Sequence, residues 1–248
     1  MAYKLIKFTA AAELAEHAAS DWLAELRERS GKTGSGPYTV ALSGGRITKN
    51  FFEEIVKQVR DNAGDLARVF ENVHFFWADE RCAPPSDPES NYAMARELLF
   101  EPLNIPAGQI HRLRGEGPEP EALKEAIGDI CRLAPVSNGQ PALDMIFLGM
   151  GEDGHTSSLF PGEAKEVMDN PAIYRAVTAV KPPPRRMTLG YATIAAAREA
   201  WVLASGNGKQ EALQKTLSPE SKTPLGRVIG LRKQTVIYTD IETGPKRS

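Results

Sequence analysis

The densest chemistry in this sequence lies in GMGEDGHTSSLFPG (149–162). There Glu152, Asp153 and His155 stand among Gly149, Gly151 and Gly154, directly after the apolar run LDMIFLG (143–149). A histidine titrates near neutrality, and a neighbouring carboxylate can set its tautomer and stabilise its charged form, so the pattern suits general acid–base work. His17, His74 and His111 have no comparable setting and read as surface or satisfied core residues. A second cluster, Asp79-Glu80-Arg81, follows VHFFWA, with Asp87, Ser90 and Asn91 close behind. Three charges at the end of an apolar strand call for solvation, a mutual ion pair or a ligand. Third, Ser43-Gly44-Gly45-Arg46 follows YTVAL; paired glycines let backbone approach an anion, and amides at a helix start can point at it. Fourth come KPPPRRMT (181–188), whose prolines stiffen the chain carrying Arg185 and Arg186, and Gly206-Asn207-Gly208-Lys209. Lys209 is expected in the first turn of a helix, where a lysine opposes the helix dipole unless it serves an anion.

Several chemistries lose weight by absence. GKT at 31–33 is a decoy for a phosphate-binding loop, because Leu26 stands where the first glycine is needed and no strand precedes it. No GxSxG, no HExxH and no GxGxxG opening a βαβ unit occurs, which disfavours serine hydrolases, zinc hydrolases and nicotinamide enzymes. Cys82 and Cys131 have neither disulfide nor metal-ligand spacing. The expectation is a non-covalent, metal-free mechanism.

These residues need a scaffold, and the pattern supplies one. Short apolar strands (3–8, 38–42, 73–78, 143–149, 172–179, 186–191, 200–205, 234–239) alternate with helical periodicity. The helices carry Ala11, Leu14, Ala15, Ala18, Ala19, Trp22, Leu23 and Leu26 on one face, then Phe51, Phe52, Ile55, Val56 and Val59, then segments at 91–100, 120–133 and 208–217. DERCAPPSDPES (79–90) reads as a long Pro-rich loop. The expected class is α/β: a Rossmann-like, doubly wound, mostly parallel sheet with helices on both faces, in a single domain over 1–248. In such sheets ligands bind beyond the carboxyl ends of the strands, where all four clusters fall. The Gly/Pro-rich stretches at 31–37, 115–120, 135–141 and 182–184 read as loops, and the terminal GPKRS as a frayed tail.

Composition sets the boundary conditions. Of 248 residues, 42% are hydrophobic and 25% charged, which suits a globular chain with a sizeable core. Thirty basic against 32 acidic residues leave a net charge of −2, so nothing draws the chain to nucleic acid or to an anionic membrane. An anionic ligand must be caught by a local basic cluster. No signal-peptide pattern or bilayer-length apolar stretch is visible, and two unpaired cysteines suit a reducing compartment, so a cytoplasmic location is expected. The oligomeric state is left open, a monomer being compatible.

VHFFWADERCAPPSDPESNY, LDMIFLGMGEDGHTSSLFPG, KPPPRRMT and GNGK, in that order, resemble the 6-phosphogluconolactonase family, part of a larger group that includes glucosamine-6-phosphate deaminase. The resemblance spans most of the chain. It departs in the glycine loop, where the family continues with a small hydroxylated residue and Thr-Pro but Arg46-Ile47-Thr48-Lys49 stand here. It implies hydrolysis of 6-phospho-D-glucono-1,5-lactone without metal or organic cofactor, on an α/β sheet. Carried over by position, it makes His155 the general base toward water, oriented by Asp153 or Glu152. Arg81 becomes the oxyanion stabiliser or substrate clamp, and Asp79 holds Arg81 or a sugar hydroxyl. Ser43, Gly44 and Gly45, with Arg186 and Lys209, are expected to receive the phosphate. Two alternatives stay open: an amino-sugar phosphate deaminase-isomerase, and a non-catalytic sugar-phosphate-binding protein.

Overall fold

The structure, a computed structural model, describes residues 3–30, 36–66 and 68–243. The GKT tripeptide and the GPKRS terminus lie outside them. In chain order the first half comprises β1 (Tyr3–Lys7), α1 (Ala11–Ser30), β2 (Tyr38–Leu42), α2 (Arg46–Asp61), α3 (Ala63–Leu66), β3 (Val73–Trp77), β4 (Asp79–Arg81), α4 (Asn91–Ala95) and α5 (Glu119–Leu133). The second half comprises β5 (Val136–Ser137), β6 (Gln140–Pro141), β7 (Met145–Gly149), α6 (Lys165–Met168), β8 (Tyr174–Thr178), β9 (Arg185–Leu189), α7 (Tyr191–Ala196), β10 (Glu199–Ala204), α8 (Gln210–Leu217), α9 (Pro224–Leu231) and β11 (Thr235–Thr239).

Six strands form one sheet in the order β1-β11-β10-β7-β2-β3, and every pairing in it is parallel. All five residues of β2 are buried, so both of its faces are covered, as its unbroken apolar run implies. Trp22 of α1 and Phe51 of α2 meet Phe147 of β7 at centroid distances of 5.0 and 4.8 Å, which ties the two helices to the centre of the sheet. The winding direction sets the place of the site. From β2 the chain runs outward to β3, whereas β7, β10 and β11 proceed in the opposite direction. The reversal falls between β2 and β7, where only Val40↔Met145 and Ala41↔Ile146 are in register, so the strand ends diverge and open a crevice.

A second, antiparallel sheet in the order β4-β9-β8 covers one side of that crevice. It corrects the expected 79–90 loop, because Asp79, Glu80 and Arg81 pair with Thr188, Met187 and Arg186. Charged residues can form this strand because their partner lies a hundred residues away and because Glu80, 2% exposed, is saturated with donors. Its carboxylate accepts from the backbone N–H groups of Arg81 (2.7 Å), Asn91 (2.8 Å) and Tyr92 (2.8 Å) and from the Ser90 hydroxyl (3.0 Å). The helix expected over 91–100 is α4 followed by a π-helical turn, Arg96–Phe100. Helix α9 was absent from the sequence reading, although Thr223 caps it by accepting from Gly226 N–H and Pro224 opens it. The strand expected over 186–191 ends at Leu189, and Tyr191 already belongs to α7. Among the described residues no helix is long and apolar enough to cross a membrane.

Candidate active site

The carboxyl ends of β2, β3, β7 and β10, which are neighbours in the sheet, converge on a cleft of about 500 Å³. It is lined by nine of the ten residues singled out above: Ser43, Gly44, Gly45, Asp79, Arg81, Glu152, His155, Arg186 and Lys209. The tenth, Asp153, lies behind the histidine.

The loop after β7 is folded around His155. Gly151 N–H donates to His155 O (2.9 Å), Gly154 N–H to Gly151 O (3.1 Å), and the Thr156 hydroxyl to Gly149 O (2.8 Å). Asp153 Oδ1 accepts from the backbone N–H of His155 (3.1 Å) and lies 2.5 Å from its Nδ1. That geometry places a proton on Nδ1, so that in the neutral ring Nε2 is the bare nitrogen. Burial alone would raise the Asp153 carboxyl, but the bonds from His155 outweigh it and hold the group below its ordinary value. A Cβ at Gly151 would stand 2.1 Å from His155 Nδ1 and Cε1, so glycine is required for the ring to lie where it does. Phe160 backs the imidazole at 5.1 Å. Of the two carboxylates left open by the sequence, Asp153 is the partner. Glu152 instead lines the cleft and acts electrostatically on Lys209.

The antiparallel sheet brings Arg81 and Arg186 face to face as a register pair. Arg186 is 6% exposed and anchored through Nε to Pro183 O (3.0 Å) and through one terminal nitrogen to Lys181 O (3.2 Å), while its guanidinium lies over Phe160 at 5.6 Å. Burial, and then the charge of Arg81, lower its pKa from the ordinary arginine value. The expected grip of Asp79 on Arg81 is not what the structure shows. Asp79 Oδ2 accepts from the Ser158 hydroxyl (2.7 Å) and Oδ1 from Asn91 Nδ2 (3.4 Å). Arg81 turns to Glu89, donating to its carbonyl and pairing with its carboxylate at 3.4 Å.

The glycine turn after β2 is held just as closely. A Cβ at Gly44 would meet Asn91 Oδ1 at 1.9 Å, so Asn91 reaches the cleft only because residue 44 has no side chain. The Ser43 hydroxyl donates to Phe147 O (2.8 Å), which commits its proton to the sheet. Lys209 precedes α8, and burial, then the nearby charge of Arg46, lowers its pKa, while Glu152 and Asp240 oppose the shift.

The sequence reading missed or left unassigned Asn50, Asn91, Ser157 and Lys181, all of which line the cleft. Ser157 is a non-glycine residue at φ 49°, a conformation over-represented at functional sites. Only the Ser-Asn pair and the KPPP run offered any signal for them. Altogether five basic side chains (Arg46, Arg81, Lys181, Arg186, Lys209) and two acidic ones (Asp79, Glu152) line this cleft of a chain whose net charge is −2. The site can therefore hold an anion beside a histidine whose Nδ1 is engaged by Asp153.

Residues 9–238 match the family model described as glucosamine-6-phosphate isomerases/6-phosphogluconolactonase. The chain is 34% identical over 187 residues to the 6-phosphogluconolactonase of Treponema pallidum, covering 75% of each. It is 34% identical over 209 residues to that of Aggregatibacter actinomycetemcomitans, covering 82% of this chain and 85% of the relative. Its fold superposes on the 6-phosphogluconolactonase of Trypanosoma brucei with a TM-score of 0.79, at 27% identity over 95% of both chains.

Proposed function

The chain belongs to the glucosamine-6-phosphate isomerase/6-phosphogluconolactonase family, and from that premise we propose that its cleft hydrolyses 6-phospho-D-glucono-1,5-lactone to 6-phospho-D-gluconate, the hydrolytic step of the oxidative pentose phosphate pathway. The observation that carries this reading is the Asp153–His155 pair set beside a cluster of cations in an acidic chain.

In the mechanism that fits this geometry, Asp153 holds the Nδ1 proton and His155 Nε2 removes a proton from water. The water oxygen bonds to the lactone carbonyl carbon, and the π pair moves onto the carbonyl oxygen. Arg81 faces that oxyanion. As the carbonyl re-forms, the ring C–O bond breaks, and the proton held by His155 passes to the departing ring oxygen. A lactone is an activated ester, so modest catalysis suffices: about 10²–10⁴-fold from a positioned base, and a comparable factor from a fixed oxyanion donor. The phosphate lies against the backbone of Ser43, Gly44 and Gly45, with Arg186 and Lys209 as counter-charges.

The test is turnover. Acid release from the phosphorylated lactone should exceed the spontaneous rate, and glucosamine 6-phosphate should yield no ammonia. Ammonia release without lactone hydrolysis would make the chain a deaminase. Binding of 6-phosphogluconate with neither activity would make it a sensor.

A further inference from the structure

Arg46 stands at the first position of α2, a helix of 16 residues with no acidic residue in its first turn. Lys209 occupies the cap position of α8. A positive charge at either place opposes the helix dipole, whose N-terminal end is itself positive. Both residues line the same cleft, and Arg46 acts on Lys209 closely enough to oppose its charging. Neither side chain makes a hydrogen bond or an ion pair among the described residues, although surface arginines and lysines elsewhere in the chain find carboxylates readily, as Arg68 and Lys57 do. Two cations are thus held together at two helix N-termini at a cost to the unliganded fold, and Glu152 and Asp240 offset it only in part, since burial and Arg46 still lower the Lys209 pKa. A bound dianion relieves the mutual repulsion and both dipole conflicts at once, and the N-terminal amides of α2 face the same charge.

We propose that Arg46 and Lys209 form a two-cation clamp on the phosphate of the substrate, with Arg46 a specificity-determining residue of this chain. The inference rests on the lactonase reading for the identity of the ligand, but not for the existence of the clamp. An arginine suits the task because its planar fork can meet two phosphate oxygens together. Being exposed, it contributes less than the half-buried Lys209.

Inorganic phosphate is the probe, and thermal unfolding of the full chain is the first readout. Without phosphate, Arg46→Ser should melt at or above the wild-type temperature, because a dipole conflict has been removed. Added phosphate should raise the wild-type midpoint and raise that of Arg46→Ser by less than half as much. Lys49→Ser, which removes an exposed cation from the same turn of α2 outside the cleft, should keep the full phosphate response. In kinetics, Arg46→Ser should raise KM for the phosphorylated lactone about three- to tenfold while kcat changes less, and Arg46→Lys should recover part of the loss. An unchanged phosphate response in Arg46→Ser overturns the clamp, and so does an equal loss in Lys49→Ser. A fall in the phosphate-free midpoint together with kcat would give Arg46 a structural role and overturn it as well. If the phosphate response depends on Arg46 but the wild type hydrolyses no lactone, the clamp stands and the lactonase reading fails.

Discussion

Glu80→Gln isolates what positions the arginine side of the cleft. The Glu80 carboxylate receives four donors, two on each oxygen: Arg81 and Asn91 N–H on Oε1, and the Ser90 hydroxyl and Tyr92 N–H on Oε2. Burial pushes its pKa up, and those donors oppose the shift. A glutamine of the same shape must turn its amide NH₂ toward one pair. Facing Arg81 and Asn91 it would orphan two backbone donors; facing Ser90 and Tyr92 it orphans one, because a hydroxyl can rotate and accept. The second arrangement wins. Its cost is one buried unsatisfied N–H, about 1–3 kcal/mol, plus the loss of charge assistance in the remaining bonds, for a total of roughly 2–4 kcal/mol. For a chain of this size that lowers the melting midpoint by roughly 4–16 °C. Urea unfolding at pH 7 measures the difference directly, and kcat/KM on the folded variant should also fall, because Arg81 and Asn91 hang from this carboxylate. A variant within about 0.5 kcal/mol of wild type, the range of ordinary surface substitutions, would refute the accounting.

Three further outcomes are expected. Arg186→Ala or Lys209→Ala should each cost about 1.5–3 kcal/mol in kcat/KM, roughly ten- to a hundredfold, on the phosphorylated lactone. The same variants should cost far less on plain gluconolactone; equal losses on both substrates would remove these residues from the phosphate site. Arg81→Lys should be harmful although it keeps the charge, since a point charge cannot replace a fork, and an unchanged kcat/KM would reduce Arg81 to a bystander. Away from the cleft, His74 Nδ1 and His111 Nε2 lie 2.9 Å apart, with His111 Nδ1 3.2 Å from Asp129 and Arg132 nearby. Burial lowers both histidine pKa values, against the pull of Asp129 on His111, so the fold binds fewer protons than the unfolded chain. Stability should therefore be complete above about pH 6.5 and decline as the pH falls below it, and His111→Gln should flatten that decline in pH-dependent unfolding. Parallel profiles would contradict the assignment.

Much of this was legible in the chain, for physical reasons that differ by element. Fully buried parallel strands read as unbroken apolar runs, so YTVAL and DMIFLG announced themselves, and with them the strand ends where ligands gather. Contacts that depend on distant chain were not legible. Asp79–Arg81 is a strand only because Arg186–Thr188 lies beside it, and Glu80 is structural only because the Ser90 hydroxyl and the backbone amides of Asn91 and Tyr92 fold back onto it. The choice between Glu152 and Asp153 was likewise beyond the sequence, since adjacent residues in a turn point in different directions that its dihedrals decide. Arg81 found Glu89 instead of Asp79 because Asn91 and Ser158 already satisfy Asp79. Helix α9 carried its signal, Thr223-Pro224, but is only eight residues long, and Pro224, Gly226 and Gly230 among them are poor helix formers.

The central claim is that His155 is the base for lactone hydrolysis, and His155→Ala tests it most directly. Hydrolysis of 6-phospho-D-glucono-1,5-lactone should be followed with the spontaneous rate subtracted, alongside the thermal midpoint of the same preparation. The account predicts a folded protein that still responds to phosphate and has lost about 10²–10⁴-fold in kcat. A folded variant with near wild-type turnover would contradict it.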